Sequence, residues 1–347
     1  MHAGATVVVR SSMSDWQNAQ WHAEATFTAD RAGVVDLART APIHGSYAGV
    51  DGMGLFWSMQ PPDGDADHAR FVPHSPWLAT GFEVGLSVLV DGREVASRTV
   101  RREWEAPGVT HRTLDPARDG ATGELFLPPS GASARPGVLV FGGSEGGVGM
   151  TFDAALLASH GYPALALGYF GAPGLPPALH DIPLEDFVAA GHVLGAGPAV
   201  LVAYSRGTEA ALLLAQLHPD AVRGAVLYAP NDGVLGAYPG PGAAWTDGGV
   251  EVPAATIPVT HVTAPVLALA GDDDRLWGSV PQTERLMQRL AGPHQALIYP
   301  GAGHGVGTFP YLPDGIGETV PFGGTRAANA AARSDGWPKV LAWLGDV

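Results

Sequence analysis

The residues with the clearest capacity for chemistry surround Ser205, in the segment AVLVAYSRGTEAALLLAQL. An apolar run typical of a buried strand ends at Tyr204, one serine follows, and a helix-like run begins at once. A serine in such a strained turn is a nucleophile elbow, usually G-x-S-x-G because close backbones exclude larger side chains. Here Ala203 replaces the first glycine and Gly207 keeps the second. The alternative is an N-cap serine, and these five residues alone favour neither.

Two loops further along the chain favour the nucleophile. A serine triad on an α/β-hydrolase sheet runs in the order Ser, acid, His, each after a strand, and GDDDRLW and YPGAGHG both follow predicted strands. His304 is the predicted base, since a histidine among glycines at an exposed strand end is poorly placed for packing. Of Asp272, Asp273 and Asp274, the fourth position of the G-x-x-D loop turns toward the histidine, which favours Asp274 as the acid. The other two are typical of a solvated acidic turn.

An oxyanion needs two N–H donors, of which one normally follows the nucleophile and the other lies in a loop after an early strand. We therefore predict Arg206 as the first donor and Gly143 or Ser144, in the loop FGGSEGGVG, as the second. The same loop fits no G-x-G-x-x-G frame and no G-K-[ST] follows it, so it does not match a nucleotide loop. Metal signatures such as H-E-x-x-H do not occur in the sequence, and we expect neither a metal nor a cofactor.

Three residues are candidates for contact with substrate: Arg206, Trp245 and Trp277. Arg206 could hold a carboxylate or phosphate, or it could pair with Glu209 three residues later on the same helix. Trp245 lies in the glycine- and proline-rich stretch 231–262, where a lid or substrate-shaping insertion would interrupt the domain.

Alternating strands and helices must position these residues. The predicted strands are 123–127, 138–141, 163–167, 199–203, 224–228, 266–270 and 295–299, and the predicted helices are 151–160, 184–194, 206–217, 281–290 and 327–344. Alternation of this kind is typical of a mostly parallel sheet with helices on both faces. We therefore predict an α/β fold in which residues 121–347 form an α/β-hydrolase catalytic domain.

Residues 1–120 show a different pattern, with short strand-like runs, many turn residues and no convincing helix. The runs are 5–9, 23–27, 81–90 and 94–100. Asp91-Gly92 is typical of a two-residue hairpin loop between the last two runs. The pattern predicts a separate N-terminal domain, an immunoglobulin-like antiparallel β-sandwich.

The composition disfavours several classes of partner and site. A net charge of −15 disfavours nucleic-acid and membrane partners, and the absence of cysteine removes disulfides and a thiol nucleophile. No stretch is long and apolar enough to span a membrane and the start lacks a signal peptide, so we expect a cytoplasmic protein. Because Lys339 is the single lysine and the chain is acidic, few cations are available to bind the phosphates of coenzyme A. The oligomeric state stays open.

Many further motifs follow one another along nearly the whole chain. They are DRAGVVDLARTAPIHGSYAGVDGMGLFWSM in the N-terminal half, then GELFLPP, FGGSEGG, ALLASHGY, ALGYFG, IPLEDF, YSRGTEAALLLA, GDDDRLW, YPGAGH and GGTRAANA. In these motifs and their order the chain resembles the family of acyl-CoA thioesterases and bile acid-CoA:amino acid N-acyltransferases. The resemblance implies Ser205 as nucleophile, Asp274 as acid and His304 as base. It also implies a thioesterase, since conjugating members carry cysteine at the nucleophile and this chain carries serine.

These observations leave three hypotheses for a small-molecule substrate. The first is a serine hydrolase that cleaves an acyl thioester, such as an acyl-CoA, or an ester through an acyl-enzyme on Ser205. The second is an acyltransferase or cyclase, in which an amine or hydroxyl takes the acyl group. The third is a catalytically silent binding protein with the same fold.

Overall fold

The computed structural model of the chain describes residues 1–73, 79–307, 309–317 and 320–347. Its strands are β1 (Thr6–Ser14), β2 (Gln20–Thr28), β3 (His44–Gly45), β4 (Gly81–Val90), β5 (Arg93–Glu103), β6 (Thr110–Thr113), β7 (Thr122–Leu127), β8 (Val138–Phe141), β9 (Ala164–Gly168), β10 (Ile182–Pro183), β11 (Ala199–Tyr204), β12 (Val222–Tyr228), β13 (Trp245–Asp247), β14 (Val250–Glu251), β15 (Val266–Gly271) and β16 (His294–Tyr299). Its helices are α1 (Gly54–Trp57), α2 (Pro116–Asp119), α3 (Thr151–Ser159), α4 (Leu184–Val193), α5 (Gly207–Leu217), α6 (Ser279–Arg289) and α7 (Arg326–Asp346).

The larger sheet has eight strands in the order β16-β15-β12-β11-β8-β9-β7-β6. The six strands from β16 to β9 run parallel, and β7 and β6 extend the sheet in antiparallel fashion. Strands β8, β9 and β15 are buried along their whole length. They read as unbroken apolar runs because both faces of a parallel sheet are covered.

Helices cover both faces of this sheet. Residues of α4, α5 and α6 join one apolar core, and residues of α3 and α7 join the other. Helix α5 is buried over ten of its eleven residues, and its alanines and leucines are strong helix formers that leave no polar face. The predicted α/β-hydrolase architecture is confirmed. Because the strands are parallel, the loops after β8, β11, β15 and β16 meet at one edge of the sheet.

The N-terminal region is rich in β-structure, as predicted, and its five strands form one antiparallel sheet in the order β3-β2-β1-β4-β5. Alternate residues of β1, such as Val7, Val9 and Met13, are buried, while the residues between them face solvent or are half-buried. A sandwich would cover the buried face with a second sheet. Among the described residues this face packs instead on a turn-rich segment that includes α1, and on Leu312 and Ala330.

The two regions are joined by direct contacts. The Nη2 of Arg326 donates to the carbonyl oxygens of Trp57 and Met59, at 3.2 and 2.6 Å. The domain boundary at residue 120 stays a prediction, and β6, which precedes it, pairs with β7 in the large sheet. The stretch 231–262 contributes β13 and β14, which with β10 form a separate three-stranded sheet.

Candidate active site

Ser205 lies in the turn between β11 and α5. Its φ is +57°, a left-handed conformation that residues other than glycine rarely adopt, and such strain is typical of a nucleophile elbow. Gly207 must lack a side chain, because a Cβ there would lie 2.3 Å from the carbonyl oxygen of Gly142. Ala203 is fully buried and its methyl group is accommodated. The segment therefore forms an elbow in spite of the departure from G-x-S-x-G.

The three side chains predicted as a triad are joined by hydrogen bonds. The Nε2 of His304 lies 2.9 Å from the Oγ of Ser205, and its Nδ1 lies 2.9 Å from the Oδ2 of Asp274. All three residues are buried, with exposures of 1% for the histidine, 5% for the serine and 7% for the aspartate. The N-cap of α5 is Arg206, with no side-chain capping bond, so Ser205 does not cap the helix.

Asp274 differs from the two aspartates before it. Burial raises the pKa of its carboxyl group, but the hydrogen bond and charge of His304 outweigh burial and hold this pKa below its ordinary value. Asp272 and Asp273 instead accept hydrogen bonds from backbone N–H groups of neighbouring glycine loops. The structure therefore brings only Asp274, of the three, to the histidine.

Aromatic rings surround the imidazole of His304. The ring centroids of Trp277, Tyr204 and Phe322 lie 4.8, 5.2 and 5.4 Å from the imidazole centroid. Trp277 meets it edge-on, at an interplanar angle of 88°. This half-buried tryptophan thus lies at the triad, and its contact with substrate stays a prediction.

Helix α7 holds both sides of the histidine loop through two side chains that the sequence analysis missed. The Oδ1 of Asn329 accepts a hydrogen bond from the N–H of Gly303 at 2.7 Å, and the Nε of Arg333 donates to the carbonyl oxygen of Gly305 at 2.7 Å. Both helix residues are buried, with 0% and 3% exposure. Asn329 lies within the motif GGTRAANA and Arg333 three residues after its end, so polar residues in an alanine-rich helical run are the sequence signal that could have identified them.

The glycine-rich loop after β8 passes beside the nucleophile. A Cβ on Gly143 would lie 2.6 Å from the Cβ of Ser205, 3.0 Å from its Oγ and 2.9 Å from the backbone N of Arg206. A side chain there would therefore fill the space next to the serine hydroxyl. The hydroxyl of Tyr169 donates to the carbonyl oxygens of Gly142 and Gly143, at 2.9 and 2.8 Å, and so fixes the loop.

The three predicted oxyanion donors differ in their hydrogen bonds. The N–H of Gly143 already donates to the Oε2 of Glu145 at 2.8 Å. Within the described ranges, the N–H groups of Ser144 and Arg206 have no protein acceptor. Desolvation raises the pKa of Glu145 above its ordinary value, although the Gly143 N–H partly offsets this.

The side chains of Arg206 and Trp245 are buried, whereas the sequence predicts that they contact substrate. Arg206 is 4% exposed, its Nε lies 2.6 Å from the Oε1 of Glu209 as an ion pair, and its Nη2 donates to two carbonyl oxygens of the 231–262 stretch. Trp245 is 0% exposed and donates from its Nε1 to the Oε2 of Glu209 at 3.0 Å. These contacts correct the prediction: both side chains fasten the insertion to α5, and the alternative pairing of Arg206 with Glu209 is the one observed.

A cavity of about 510 Å³ reaches the neighbourhood of the triad, since Tyr204 and Gly305, the residues next to Ser205 and His304, are in its lining and no residue of the Glu209 network is. Residues 69–73 of the N-terminal region form one wall, and the rest comes from the catalytic region. Its lining is largely apolar, with Phe71, Phe152 and Phe309 among the walls, and Glu145 and Tyr204 mark its end nearest the nucleophile. A cavity of this size and character suits a small organic ligand.

The described residues contain neither a side-chain cluster suited to a metal ion nor a helix suited to a membrane crossing. No group of three or more histidine, aspartate or glutamate side chains is placed so that it could hold a metal ion. None of the helices in these ranges combines the length and apolarity that a membrane crossing requires.

The parallel sheet, the elbow and the hydrogen-bonded Ser-His-Asp set define the class of the protein as an α/β hydrolase. Two family models match the chain: "Acyl-CoA thioester hydrolase/BAAT N-terminal region" over residues 1–115 and "BAAT / Acyl-CoA thioester hydrolase C terminal" over residues 249–346. The chain is also similar to the peroxisomal succinyl-coenzyme A thioesterase of Mus musculus, with 31% identity over 98% of this chain and 89% of the relative.

Two more relatives from Mus musculus extend this picture. Acyl-coenzyme A thioesterase 6 is 32% identical over 96% of this chain and 88% of the relative. Acyl-coenzyme A amino acid N-acyltransferase 1 is 29% identical over 96% of this chain and 89% of the relative. The chain therefore belongs to the acyl-CoA thioester hydrolase/BAAT family, and it is an enzyme of the α/β-hydrolase fold.

Proposed function

We propose that the chain hydrolyses acyl thioesters, with acyl-CoA as the substrate class, through an acyl-enzyme on Ser205. The observation that carries the proposal is the continuous hydrogen-bonded series from Asp274 through His304 to Ser205, with both links at 2.9 Å. This geometry lets the imidazole take the hydroxyl proton as the oxygen attacks a carbonyl carbon. A cytoplasmic location without nucleic-acid or membrane partners, expected from the sequence, is part of the same proposal.

In the first half-reaction the Oγ of Ser205 attacks the thioester carbonyl and the Nε2 of His304 receives the proton. The carboxylate of Asp274 stabilises the imidazolium through Nδ1 and keeps the ring in place. The tetrahedral intermediate then expels the thiolate, which takes the proton from the imidazolium and leaves an acyl ester on Ser205. In the second half-reaction His304 deprotonates water, whose oxygen attacks this ester, and the imidazolium then returns the proton to the Oγ of Ser205 as the C–Oγ bond breaks and the carboxylic acid leaves.

We assign the oxyanion donors to the N–H groups of Ser144 and Arg206. They are free of protein acceptors among the described residues, whereas the N–H of Gly143 is bonded to Glu145. Gly143 contributes the space that the carbonyl group needs beside the serine. Glu145 and Tyr169 act on the loop as positioning residues, because they fix its N–H and carbonyl groups before substrate arrives.

Acyl transfer to an amine or hydroxyl is the second candidate, favoured by the similarity to an N-acyltransferase. The two reactions share the acyl-enzyme and differ only in the acceptor, and water is the default acceptor at a serine nucleophile. Product analysis by mass spectrometry separates them: amide or ester formation with added amines or alcohols supports transfer, and carboxylic acid alone supports hydrolysis. The intact triad geometry speaks against a catalytically silent protein.

Ser205→Ala tests the proposal directly. We expect the variant to lose at least about 10⁴-fold in kcat for butyryl-CoA, because the nucleophile is removed while the fold is retained. Ser97→Ala, on the exposed strand β5, is the matched control and should keep wild-type turnover. Thiol release measured for all three proteins decides the outcome, and turnover retained by Ser205→Ala would refute the proposal.

A further inference from the structure

The cavity beside the triad contains a cation that the proposed reaction does not use. Arg70, from the N-terminal region, lines this cavity, and its side chain keeps 55% of its possible exposure. Its Nε lies 3.6 Å from the Oδ1 of Asp314, and within the described parts of the chain no hydrogen bond is made by its guanidinium group. A guanidinium group has five N–H donors in a planar fork, so this side chain has donors to spare.

The partner of Arg70 is shared with a second arginine. The Nη2 of Arg333 lies 2.6 Å from the Oδ2 of Asp314, and this arginine is buried, with 3% exposure. One carboxylate therefore faces two guanidinium groups. The shorter contact belongs to Arg333, which leaves Arg70 as the less compensated charge.

The other titratable groups that face Arg70 are Asp153, Glu145 and Tyr204. Burial raises the pKa of Asp153 to about 7, and desolvation also raises the pKa of Glu145. Both shifts weaken the negative charge that these two carboxyl groups set against Arg70, and a tyrosine hydroxyl carries no charge near neutral pH. The charge of Asp314 raises the pKa of Arg70, so its guanidinium stays protonated. In a chain of net charge −15, Arg70 is therefore a cation in the cavity that shares its nearest carboxylate with a second arginine.

A short series of contacts connects Arg70 to the catalytic histidine. Arg70 contacts Asp314, Asp314 contacts Arg333, and the Nε of Arg333 donates to the carbonyl oxygen of Gly305, the residue after His304. Arg70 also lines the same cavity as Tyr204 and Gly305, the residues next to Ser205 and His304, so an anion at Arg70 would share this cavity with the acyl group of a substrate at the triad. The phosphates of coenzyme A are separated from the thioester by the whole pantetheine arm, so a carboxylate on the acyl group is the better match for this cation.

We propose that Arg70 binds a carboxylate at the end of a short acyl group, so that ω-carboxyacyl thioesters are the preferred substrates of the site. This inference rests on the proposed thioesterase function. The guanidinium fork matches a carboxylate in a bidentate arrangement, and the apolar walls contact the methylene groups between the two ends. The N-terminal region thus contributes a specificity-determining residue to a site whose catalytic groups all come from the other region.

The test compares succinyl-CoA with butyryl-CoA, which carries a methyl group in place of the second carboxylate. The measured quantity is the ratio of kcat/KM for succinyl-CoA to kcat/KM for butyryl-CoA. In the wild-type enzyme we expect this ratio to exceed one. In Arg70→Met it should fall about 10- to 100-fold, the loss expected for a charge-assisted hydrogen-bonded pair in a partly buried site. Arg70→Lys should lie between the two, because the charge remains without the planar fork.

Arg98→Met is the matched control, since this arginine is exposed on β5, and its ratio should equal that of the wild type. The two substrates share the coenzyme A moiety, so contacts with its phosphates cancel in the ratio. An unchanged ratio in Arg70→Met, including an equal loss on both substrates, would overturn the inference, as would a wild-type ratio of one or less.

If Arg70→Met fails to fold, inhibition of the wild-type protein tests the inference instead. Free succinate should inhibit butyryl-CoA hydrolysis competitively, and butan-1-ol should not. Lack of inhibition by succinate would overturn the inference. Turnover of butyryl-CoA separates a failure of the proposed function from a failure of the role of Arg70. If butyryl-CoA is not hydrolysed, the proposed function itself fails. If it is hydrolysed without a preference for succinyl-CoA, only the role of Arg70 fails.

Discussion

Two arginines lie near the reaction centre, one next to the nucleophile in sequence and one in the neighbouring cavity, and their surroundings differ. Arg206 follows the nucleophile in sequence, yet its guanidinium is 4% exposed and paired with Glu209. Arg70 is far away in sequence, yet its side chain is 55% exposed in the cavity beside the triad and shares Asp314 with Arg333. The guanidinium of Arg206 is held by Glu209 and by two backbone carbonyl oxygens, whereas that of Arg70 has spare donors in an open cavity and is available to a ligand.

The protein around the reaction centre is closed on one side and open on the other. On the α5 side, Glu209 accepts hydrogen bonds from Arg206, Asn231, Trp245 and the backbone of Leu235, so this wall is closed by a buried polar network. On the cavity side, Phe71, Phe152 and Phe309 leave about 510 Å³ of open space. Nearness to the nucleophile in sequence therefore does not identify the substrate side of the site.

The largest effect on stability is expected from the closed wall. Glu209→Gln leaves the buried charge of Arg206 without its counter-ion, and we expect a loss of about 3–5 kcal/mol in the free energy of unfolding. Urea denaturation followed by circular dichroism measures this loss. Glu24→Gln is the control, because its pair with Arg10 is exposed, and it should cost less than about 1 kcal/mol. Equal effects of the two substitutions would contradict the structural role of the network.

A pH-dependent effect, spread over several pH units, is expected on the cavity side. Burial raises the pKa of Asp153 from its ordinary value of 3.8 to about 7. Between these values the unfolded chain has lost the proton while the folded chain keeps it, so this group makes stability fall as pH rises, by up to about 1.4 kcal/mol per pH unit. Asp153→Asn should remove this contribution and flatten the decline. Urea denaturation across this pH range is the measurement, and identical slopes for both proteins would refute the assignment.

Much of the catalytic region could be predicted from the sequence because its signals are local. Ser205, Asp274 and His304 each lie in the loop or turn that follows a strand, and a parallel sheet brings such loops to one edge. The structure accordingly places these three side chains in hydrogen-bond contact. The same reasoning located the glycine loop at Gly143, whose closeness to the serine follows from the same edge.

The rest depends on contacts between distant parts of the chain. Whether Trp245 points to solvent or into the core is decided by how the 231–262 stretch packs on α5, and no local pattern encodes this packing. Arg70 lines the cavity beside the triad only because the segment that follows α1 lies against the catalytic region. Among the described residues, the turn-rich segment that includes α1 packs on the face where a sandwich would have its second sheet, and its many turn residues do not support long strands.

Covalent labelling of the nucleophile tests the central claim most directly. A fluorophosphonate reacts with a serine whose hydroxyl is activated by a histidine, so peptide mass spectrometry of the wild-type protein should find one adduct, on Ser205. In His304→Ala the labelling rate should fall by at least about 10³-fold, because the general base is missing. Labelling of another serine in place of Ser205 would contradict the assignment of Ser205 as the nucleophile. The same holds if the probe leaves Ser205 unlabelled in a protein that hydrolyses butyryl-CoA.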